Sequence, residues 1–326
     1  MDRAVRILEK NGHTVTVAPT TGPGTAGEIA REHIAGGAGL IIAAGGDGTI
    51  NEVVEGMVHS RVPLAILPAG TANVLAMEMK LGAKLERVAE RLEVCRPQRI
   101  PVGRLTCDGG RVERHFMLMA GIGLDAHIVY NVNSAIKARV GKLAYWLAGW
   151  SLLGKRLAQF TVEAAGERRE CSFALIAKVR NYGGDFEIAR NVNIMDDEFE
   201  LVLLEGRNTL RYVKYFAGMA LNLLAGMKGA TVLRSDRVTV SGPEGSCIYV
   251  QIDGEFAGRL PAEVRIVPDA LTLLIPPEYI GAARGKLSAI SYQLSAIASG
   301  AEPDGRTRGG SPERPQPLRR KLITDS

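Results

Sequence analysis

The chain has 326 residues, of which 46% are hydrophobic and 23% charged. This balance excludes a wholly disordered or fibrous protein and allows about two domains of roughly 100–200 residues each. Forty Lys and Arg residues against 35 Asp and Glu residues give a net charge of +5, which favours anionic partners such as nucleotides, phosphates or acidic lipids. Aromatic residues make up only 5%, which argues against a nucleic-acid binder that stacks bases.

The cysteines and the N-terminus indicate a cytoplasmic protein. The four cysteines lie apart and form no CxxC pair, a pattern typical of reduced thiols rather than of disulfides or a zinc site. No apolar segment follows the basic residues of the N-terminus, so we expect no signal peptide. No apolar run reaches 18 residues, so we expect no membrane span.

Residues 1–100 alternate between helix-like and strand-like segments, and this alternation predicts an α/β domain with a parallel sheet. The predicted helices are Val5–Lys10, Ala26–Ala35, Thr49–His59 and one that starts near Thr71. The strand-like segments are His13–Val17, Leu40–Ala44 and Leu64–Leu67.

From about Arg99 the pattern changes to strands separated by turns, which predicts a largely antiparallel β domain with helical inserts over residues 101–280. Leu210–Met227 is predicted to be a buried or amphipathic helix, and Leu271–Ile275 suits either domain. Residues 281–326 are expected to form a helix and then a disordered tail rich in Pro, Gly and Arg. The strands are predicted at Arg111–Ala120, Phe160–Ala165, Cys171–Val179, Phe199–Leu204, Arg237–Ser241, Ile248–Ile252 and Val264–Val267.

A glycine-rich turn at Gly45–Thr49 connects a buried strand to a helix. Glycine lets the backbone approach a phosphate closely, and the N–H groups and dipole of a helix N-terminus favour negative charge. Asp47 is placed to reach a magnesium ion on the phosphates, and the hydroxyl of Thr49 is expected to cap the helix. A structural glycine turn is the alternative.

A second turn at Pro68–Asn73 again follows an apolar strand and precedes a helix. The carboxyl ends of parallel strands meet at one edge of a sheet, so both turns are expected to face one cleft. Two such turns at one edge indicate a nucleotide site.

The ordered motifs of the chain resemble the diacylglycerol kinase catalytic-domain family, in particular the bacterial soluble lipid kinases and their sphingoid-base kinase relatives. The GGDGT sequence alone is shared with NAD kinases and phosphofructokinases, whereas the series of motifs is typical of lipid kinases. The resemblance covers residues 10–280 and rests on GGDGTINEVVEG, PAGTANVLA, GIGLDA, GKLAY, YGGDF and DGE.

The resemblance implies a kinase that uses ATP and Mg²⁺ to phosphorylate a lipid hydroxyl in a cleft between an ATP-binding α/β domain and a β-sandwich. Glu255, in the DGE motif, matches the general base of the family, and Asp125 matches an acidic residue of its magnesium network. Without the motif series, Asp253–Glu255 would be read as an ordinary hairpin turn. The residues that the resemblance assigns to ATP are Thr20, Gly45, Gly46, Asp47, Gly48, Thr49, Gly70, Thr71 and Asn73.

The chain departs from the family at three places. The first apolar strand of the family and its NPxSG turn are absent. We interpret this absence either as a start of the sequence placed too late in the gene or as a loss of activity. Val74 stands where many diacylglycerol kinases carry an Asp of the magnesium network. In Asp196–Glu200, Asp196 matches a ligand of a structural metal, whereas Asp197 replaces a glycine and Glu200 replaces an Asp; an acidic turn without metal is the alternative.

Trp146 and Trp150 share a face of a predicted helix that basic residues flank, which suits a membrane interface; a core helix is the alternative. We therefore expect a lipid substrate, transient contact with a membrane surface and no nucleic-acid partner, while homodimerisation stays open. Two other functions stay open as well. One is an NAD kinase-like small-molecule kinase, and the other is a catalytically impaired protein that binds lipid or nucleotide.

Overall fold

The computed structural model describes residues 1–124, 126, 157–182, 186–207, 209–220 and 223–283. The helices are α1 (Asp2–Lys10), α2 (Ala26–Ala35), α3 (Asp47–Met57), α4 (Val74–Glu78), α5 (Leu85–Arg91) and α6 (Thr209–Ala220), and residues 277–283 are also helical. The first eight strands are β1 (Ile41–Gly45), β2 (Leu64–Pro68), β3 (Arg96–Cys107), β4 (Val112–Phe116), β5 (Met119–Gly123), β6 (Phe160–Ala164), β7 (Glu167–Cys171) and β8 (Phe173–Ala177). The remaining strands are β9 (Asn181–Tyr182), β10 (Phe186–Glu187), β11 (Phe199–Leu204), β12 (Ala230–Ser235), β13 (Arg237–Ser241), β14 (Tyr249–Ile252), β15 (Glu255–Arg259) and β16 (Ala262–Ile275).

The N-terminal part confirms the expected α/β arrangement. β1 and β2 pair in parallel from Ile41 opposite Leu64 to Gly45 opposite Pro68. β2 is buried along its whole length, as expected for a strand whose two faces are covered. Apolar side chains of α1 to α5 pack against this sheet in one core.

The prediction of a strand at His13–Val17 is wrong. These residues join no ladder, and the side chain of Val17 is 61% exposed. Alternating apolar residues predict a strand from sequence, but a strand also needs a neighbour to satisfy its backbone N–H and C=O groups. Only Val15 of this segment packs against the core.

Helices α2 and α3 cross with their backbones in contact. A Cβ atom at Gly27 would lie 2.6 Å from the carbonyl oxygen of Glu52, and one at Gly56 would lie 2.2 Å from the carbonyl oxygen of Gly27. Such a close approach excludes any side chain at either position. The two glycines thus set the distance between the helices and hold α3, which carries Asp47, against the sheet.

The C-terminal part is a β-sandwich, as expected. One sheet is mixed and runs β1-β2-β16-β13-β6-β7, with β3 and β4 joined to it through β16. The other sheet is antiparallel and runs β12-β11-β8-β5-β14-β15. The inner faces of both sheets form a second core, in which Phe116 and Phe199 stack at a centroid distance of 5.8 Å.

Strand β16 belongs to both parts of the fold. Its register with β3 runs from Glu263 opposite Thr106 to Ile275 opposite Arg96, and Leu273 pairs in parallel with Leu64 of β2. Leu271–Ile275, which suited either domain, therefore lies in a strand that both share. The predicted boundary at residue 100 falls within β3 and stays a prediction.

The predicted strand Arg111–Ala120 is instead two strands in different sheets. β4 pairs with β3, whereas β5 pairs with β8 and β14. The chain changes sheet at Met117 and Leu118, whose N–H groups donate to the side chain of Asp253 rather than to a ladder. A distant carboxylate determines this break, so the local pattern could not predict it.

Helix α6 confirms the first part of the buried or amphipathic helix predicted at Leu210–Met227, whereas Leu224–Gly226 form a separate 3₁₀ turn. Tyr212 and Tyr215 are buried, and the Tyr212 hydroxyl donates to the Leu204 carbonyl and contacts Ser172. Over the part of the chain that the structure describes, no helix is long and apolar enough to cross a membrane.

We expect Gly56→Ala to destabilise the protein by about 1–3 kcal/mol, because the new methyl group would overlap the Gly27 carbonyl. In an open helix interior the same change would stabilise by about 1 kcal/mol. Chemical denaturation measures the free energy of unfolding. Gly22→Ala is the control, since no atom lies within 4 Å of its added Cβ; equal effects of both changes would contradict the close crossing.

Candidate active site

Helix α3 begins directly after the first glycine turn. Gly46 is its N-cap in extended conformation, and the first helical residue is Asp47. No side chain caps this end, so the N–H groups of the first turn face outward. The predicted cap at Thr49 is wrong, because the helix starts two residues earlier than expected and the Thr49 side chain instead lies against Gly45.

The two glycine turns lie side by side, as their parallel strands predict. A Cβ atom at Gly70 would lie 2.4 Å from the Cα of Gly46, and the Ala69 N–H donates to the Gly45 carbonyl at 3.0 Å. Asn73 adopts the left-handed conformation (φ 49°). Its side chain accepts from the Gly70 N–H at 2.8 Å and donates to the Gly70 carbonyl at 2.6 Å, which closes the second turn on itself.

Asp47 connects the two turns. Its Oδ1 accepts a hydrogen bond of 2.8 Å from the N–H of Val74, the first residue of α4. Burial raises the pKa of Asp47, against the lowering effect of backbone donors from Asn73, Val74 and Leu75. The backbone of Val74 thus binds the acid of the first turn, although its side chain replaces the acid that many relatives carry.

The Asp253 carboxylate is buried between α3 and the start of β5. Asp253 lies in the turn between β14 and β15 with φ 49°, and it accepts hydrogen bonds of 2.9–3.0 Å from the N–H groups of Met117, Leu118 and Met119. In the amide orientation that satisfies both ends, Asn51 donates to Asp253 at 3.3 Å and to the His115 carbonyl at 3.2 Å.

Burial raises the pKa of Asp253 to about 6, and the nearby Asp47 carboxylate adds to this effect. The two acids share one small crevice between α3, α4 and the segment before β5. The residues that line it are Asp47, Ile50, Asn51, Leu75, Met117, Leu118 and Asp253.

Glu255, the predicted general base, lies beside the first turn of α3. Its Oε1 is 2.9 Å from the position that a Cβ atom at Gly48 would take. Arg114 of β4 donates to its Oε2 at 3.2 Å, and the Glu255 side chain is 45% exposed. The protein therefore brings Glu255 and Asp47, which are distant in sequence, to the same end of one helix.

The other predicted site residues are less closely gathered. Thr71 is exposed at the tip of the second turn, and Thr20 is exposed in the loop before α2. Glu52 of α3 holds this loop through the N–H groups of Gly24 (2.8 Å) and Ala26 (3.1 Å). The residues that lie outside the described part of the chain are Asp125, Trp146, Trp150, Gly183, Gly184 and Asp185.

The predicted metal ligand Asp196 faces N–H donors. Its carboxylate accepts from both nitrogens of Asn193 and, at 3.0 Å, from Arg234, while Lys178 donates to its backbone carbonyl. Burial lowers the pKa of Lys178 to about 7. No cluster of three or more His, Cys, Asp or Glu side chains suited to a metal occurs within the described ranges. This set of N–H donors does not fit a metal ion.

Sequence reasoning missed Glu78, which attaches α4 to the C-terminal part. Its side chain is fully buried and accepts from the Arg180 guanidinium (3.1 Å), the Arg180 N–H (3.2 Å) and the Tyr279 hydroxyl (2.8 Å). Its partners lie more than 100 residues away in sequence, so no local motif marks it. No local motif marks the Asn51–Asp253 contact either, because these two residues are also distant in sequence.

We expect Glu78→Gln to lower the free energy of unfolding by about 3–5 kcal/mol, because Arg180 would keep its charge without a buried counter-ion. Chemical denaturation measures the change. Glu167→Gln is the matched control; Glu167 pairs with Arg169 on a hairpin where both side chains are nearly half exposed, and its loss should be under about 1 kcal/mol. Equal losses would show that the buried cluster does not hold α4.

The raised pKa of Asp253 has a consequence for stability. The folded protein binds this proton more tightly than the unfolded chain, since the pKa rises from 3.8 to about 6. Asp253 thus contributes stability that is present below pH 3.8 and lost as the pH rises through about 6.

Asp253→Asn removes this titration and keeps the shape of the side chain. We expect the difference in unfolding free energy between wild type and variant to change by about 2–3 kcal/mol between pH 4 and pH 7, with the wild type gaining towards low pH. Denaturation at a series of pH values measures it. A difference independent of pH would contradict the raised pKa.

Two family models match the chain. The diacylglycerol kinase catalytic domain matches residues 1–105, and the YegS C-terminal NAD kinase beta sandwich-like domain matches residues 119–275. The diacylglycerol kinase of Bacillus subtilis (strain 168) is 30% identical over 288 residues, which are 83% of this chain and 89% of that protein. The diacylglycerol kinase of Mycobacterium tuberculosis (strain H37Rv) is 27% identical over 248 residues, which are 74% and 79% of the two chains.

Among solved structures, a diacylglycerol kinase from Bacillus anthracis str. Sterne superimposes with a TM-score of 0.69 at 20% identity, over 85% of this chain and 91% of that one. At this identity the likeness supports the fold alone, an α/β part followed by a β-sandwich. The family models and the Bacillus subtilis relative carry the further conclusion. The chain belongs to the diacylglycerol kinase catalytic-domain family.

Proposed function

We propose that this kinase-family protein uses ATP and Mg²⁺ to phosphorylate a hydroxyl group of diacylglycerol or a related lipid. The observation that carries the proposal is the position of Glu255 beside the first turn of α3, next to Gly48 and Asp47. A carboxylate there faces the end of the helix at which a phosphate would bind. The names of the relatives support the choice of a lipid acceptor.

The two glycine turns provide the surface for the triphosphate. Gly46 and Gly70 lie in backbone contact, so the two turns meet beside the first residues of α3. The α3 N-terminus carries no side-chain cap and offers N–H groups and the positive end of the helix dipole. We assign ATP to Gly45–Thr49 together with Gly70, Thr71 and Asn73; Thr20 stays a candidate.

In the proposed transfer, Glu255 accepts the proton of the lipid hydroxyl. The oxygen then attacks the γ-phosphorus of ATP, the bond between that phosphorus and the β–γ bridging oxygen breaks, and ADP leaves with the electron pair. Arg114 orients the carboxylate through Oε2 and leaves Oε1 directed at Gly48. The enzyme therefore contributes position, one base and N–H donors.

Magnesium, when bound, would neutralise charge on the phosphates. We assign this role to Asp47, because it starts the helix whose first turn would hold the phosphates, although its Oδ1 already accepts from the Val74 N–H. Asp125 is the second candidate and lies outside the described residues. Because the acceptor would reside in a bilayer, we place the reaction at the cytoplasmic side of a membrane surface, with the segment around Trp146 and Trp150 as the proposed contact.

We expect Glu255→Gln to lower kcat by about 10²–10⁴-fold and to leave the affinity for ATP unchanged, because the amide cannot accept the proton. The assay measures transfer of labelled phosphate from ATP to diacylglycerol in mixed micelles with Mg²⁺. Glu113→Gln is the matched control, since Glu113 lies on β4 one residue before Arg114 and pairs only loosely with Arg104, at 4.0 Å. Unchanged turnover in Glu255→Gln would remove it from the role of base.

The same assay separates the other functions. Transfer to NAD but to no lipid of a panel would identify a small-molecule kinase, and the proposal would be wrong. ATP binding without transfer to any acceptor would identify a protein that binds nucleotide without catalysis. The lipid panel includes monoacylglycerol, a sphingoid base and an isoprenoid alcohol, because these hydroxyl groups could be phosphorylated by the same chemistry.

A further inference from the structure

The turn before β11 carries the acidic residues that resemble a metal site, and both carboxylate oxygens of Asp196 already accept hydrogen bonds. Asp196 Oδ1 accepts from the Asn193 side-chain amide, and Oδ2 accepts from the Asn193 N–H (3.2 Å) and from Arg234 (3.0 Å). The Asp196 side chain is only 2% exposed. Glu200, two residues after Glu198, accepts from the Asn191 N–H at 2.6 Å.

Arg234 occupies the centre of this turn. It lies on β12 directly opposite Glu200 of β11, so the sheet register fixes its position. Its Nε donates to Glu198 at 2.9 Å, its Nη2 donates to Asp196, and its Nη1 donates to the Asn191 carbonyl. One guanidinium group thus joins two carboxylates and a backbone oxygen, the kind of planar multidentate contact for which arginine is suited.

Lys178 holds the turn from its buried side. It is 1% exposed at the end of β8, and its Nζ donates to the Asp196 backbone carbonyl. The backbone oxygen of this residue, like its carboxylate, therefore meets an N–H donor. A magnesium ion requires about six oxygen ligands in octahedral geometry at roughly 2.0–2.1 Å, and N–H groups directed at the same oxygens leave no such set.

We propose that Arg234 and Lys178 take the place of a structural metal in this protein, so that the turn formed by residues 191–200 folds without any divalent cation. The positive charge is built into the chain through the guanidinium group of Arg234. The C-terminal part of this chain would then be stable in metal-free buffer. The proposal is independent of the proposed function, since it involves neither nucleotide nor lipid.

The first test uses the wild-type protein without nucleotide. We expect the same Tm, within about 1 °C, in EDTA, in millimolar Mg²⁺ and in millimolar Ca²⁺. A saturable rise in Tm of several degrees with either cation that disappears in Asp196→Asn would overturn the proposal. A rise that persists in Asp196→Asn would place the cation elsewhere and leave the proposal standing.

The second test removes the built-in cation. We expect Arg234→Gln to lower Tm by about 5 °C or more, because the buried Asp196 carboxylate would lose its ion-pair partner. Arg237→Gln is the matched control on β13, the next strand along the chain, where Arg237 is 56% exposed and pairs with Glu263; its Tm should change by about 1 °C. If Arg234→Gln lost no more than Arg237→Gln, the guanidinium would not hold the turn and the proposal would be wrong.

Should Arg234→Gln fail to fold, Arg234→Lys keeps the charge and loses the planar fork. We then expect Arg234→Lys to fold with a Tm below that of the wild type. The comparison of the wild-type Tm in EDTA and in Mg²⁺ or Ca²⁺ still decides the proposal.

Discussion

The buried carboxylate of Asp253 is the interaction on which the site depends. It lies in the turn of the hairpin that carries Glu255, and its oxygens accept hydrogen bonds from N–H groups between the end of β4 and the start of β5. Burying a charge in this way is costly, as the raised pKa shows. The N–H donors offset part of that cost and lock the hairpin against α3 through Asn51. This contact therefore helps to place Glu255 near Asp47, from which it is distant in sequence.

Strand β16 connects the α/β part of the fold to the β-sandwich. It pairs with β3 and β13 in the sandwich and reaches β2 of the α/β part at Leu273. The Glu78 cluster adds a second link, because it ties α4 to Arg180 and Tyr279. The second glycine turn therefore lies between β2, which β16 joins to the sandwich, and α4, which the buried Glu78 cluster attaches to the C-terminal part.

The acidic turn before β11 shows which structural features a sequence motif predicts and which it does not. Asp196 occupies the position that resembles a metal ligand, yet Arg234 and Asn193 direct donors at its carboxylate. Carboxylates attract any cation, and whether that cation is a metal or a guanidinium depends on what the neighbouring strand presents. Here the neighbour in register is Arg234, opposite Glu200. The motif therefore predicts the turn, whereas the partner strand decides what holds it.

The amino-acid sequence by itself determined the α/β class of the N-terminal part, the two glycine turns and most of the strands, and the resemblance of its motifs to a known family marked Asp47 and Glu255 as the acids to follow. These features depend on local periodicity, turn chemistry and short motifs, which act over a few residues. Tertiary structure alone decided that Asp253, Asn51 and Glu78 hold the site together, that residues 13–17 form no strand and that Asp196 faces an arginine. Each of these depends on which distant backbone or side chain completes a hydrogen bond, and burial makes such partners obligatory without marking them in the local sequence.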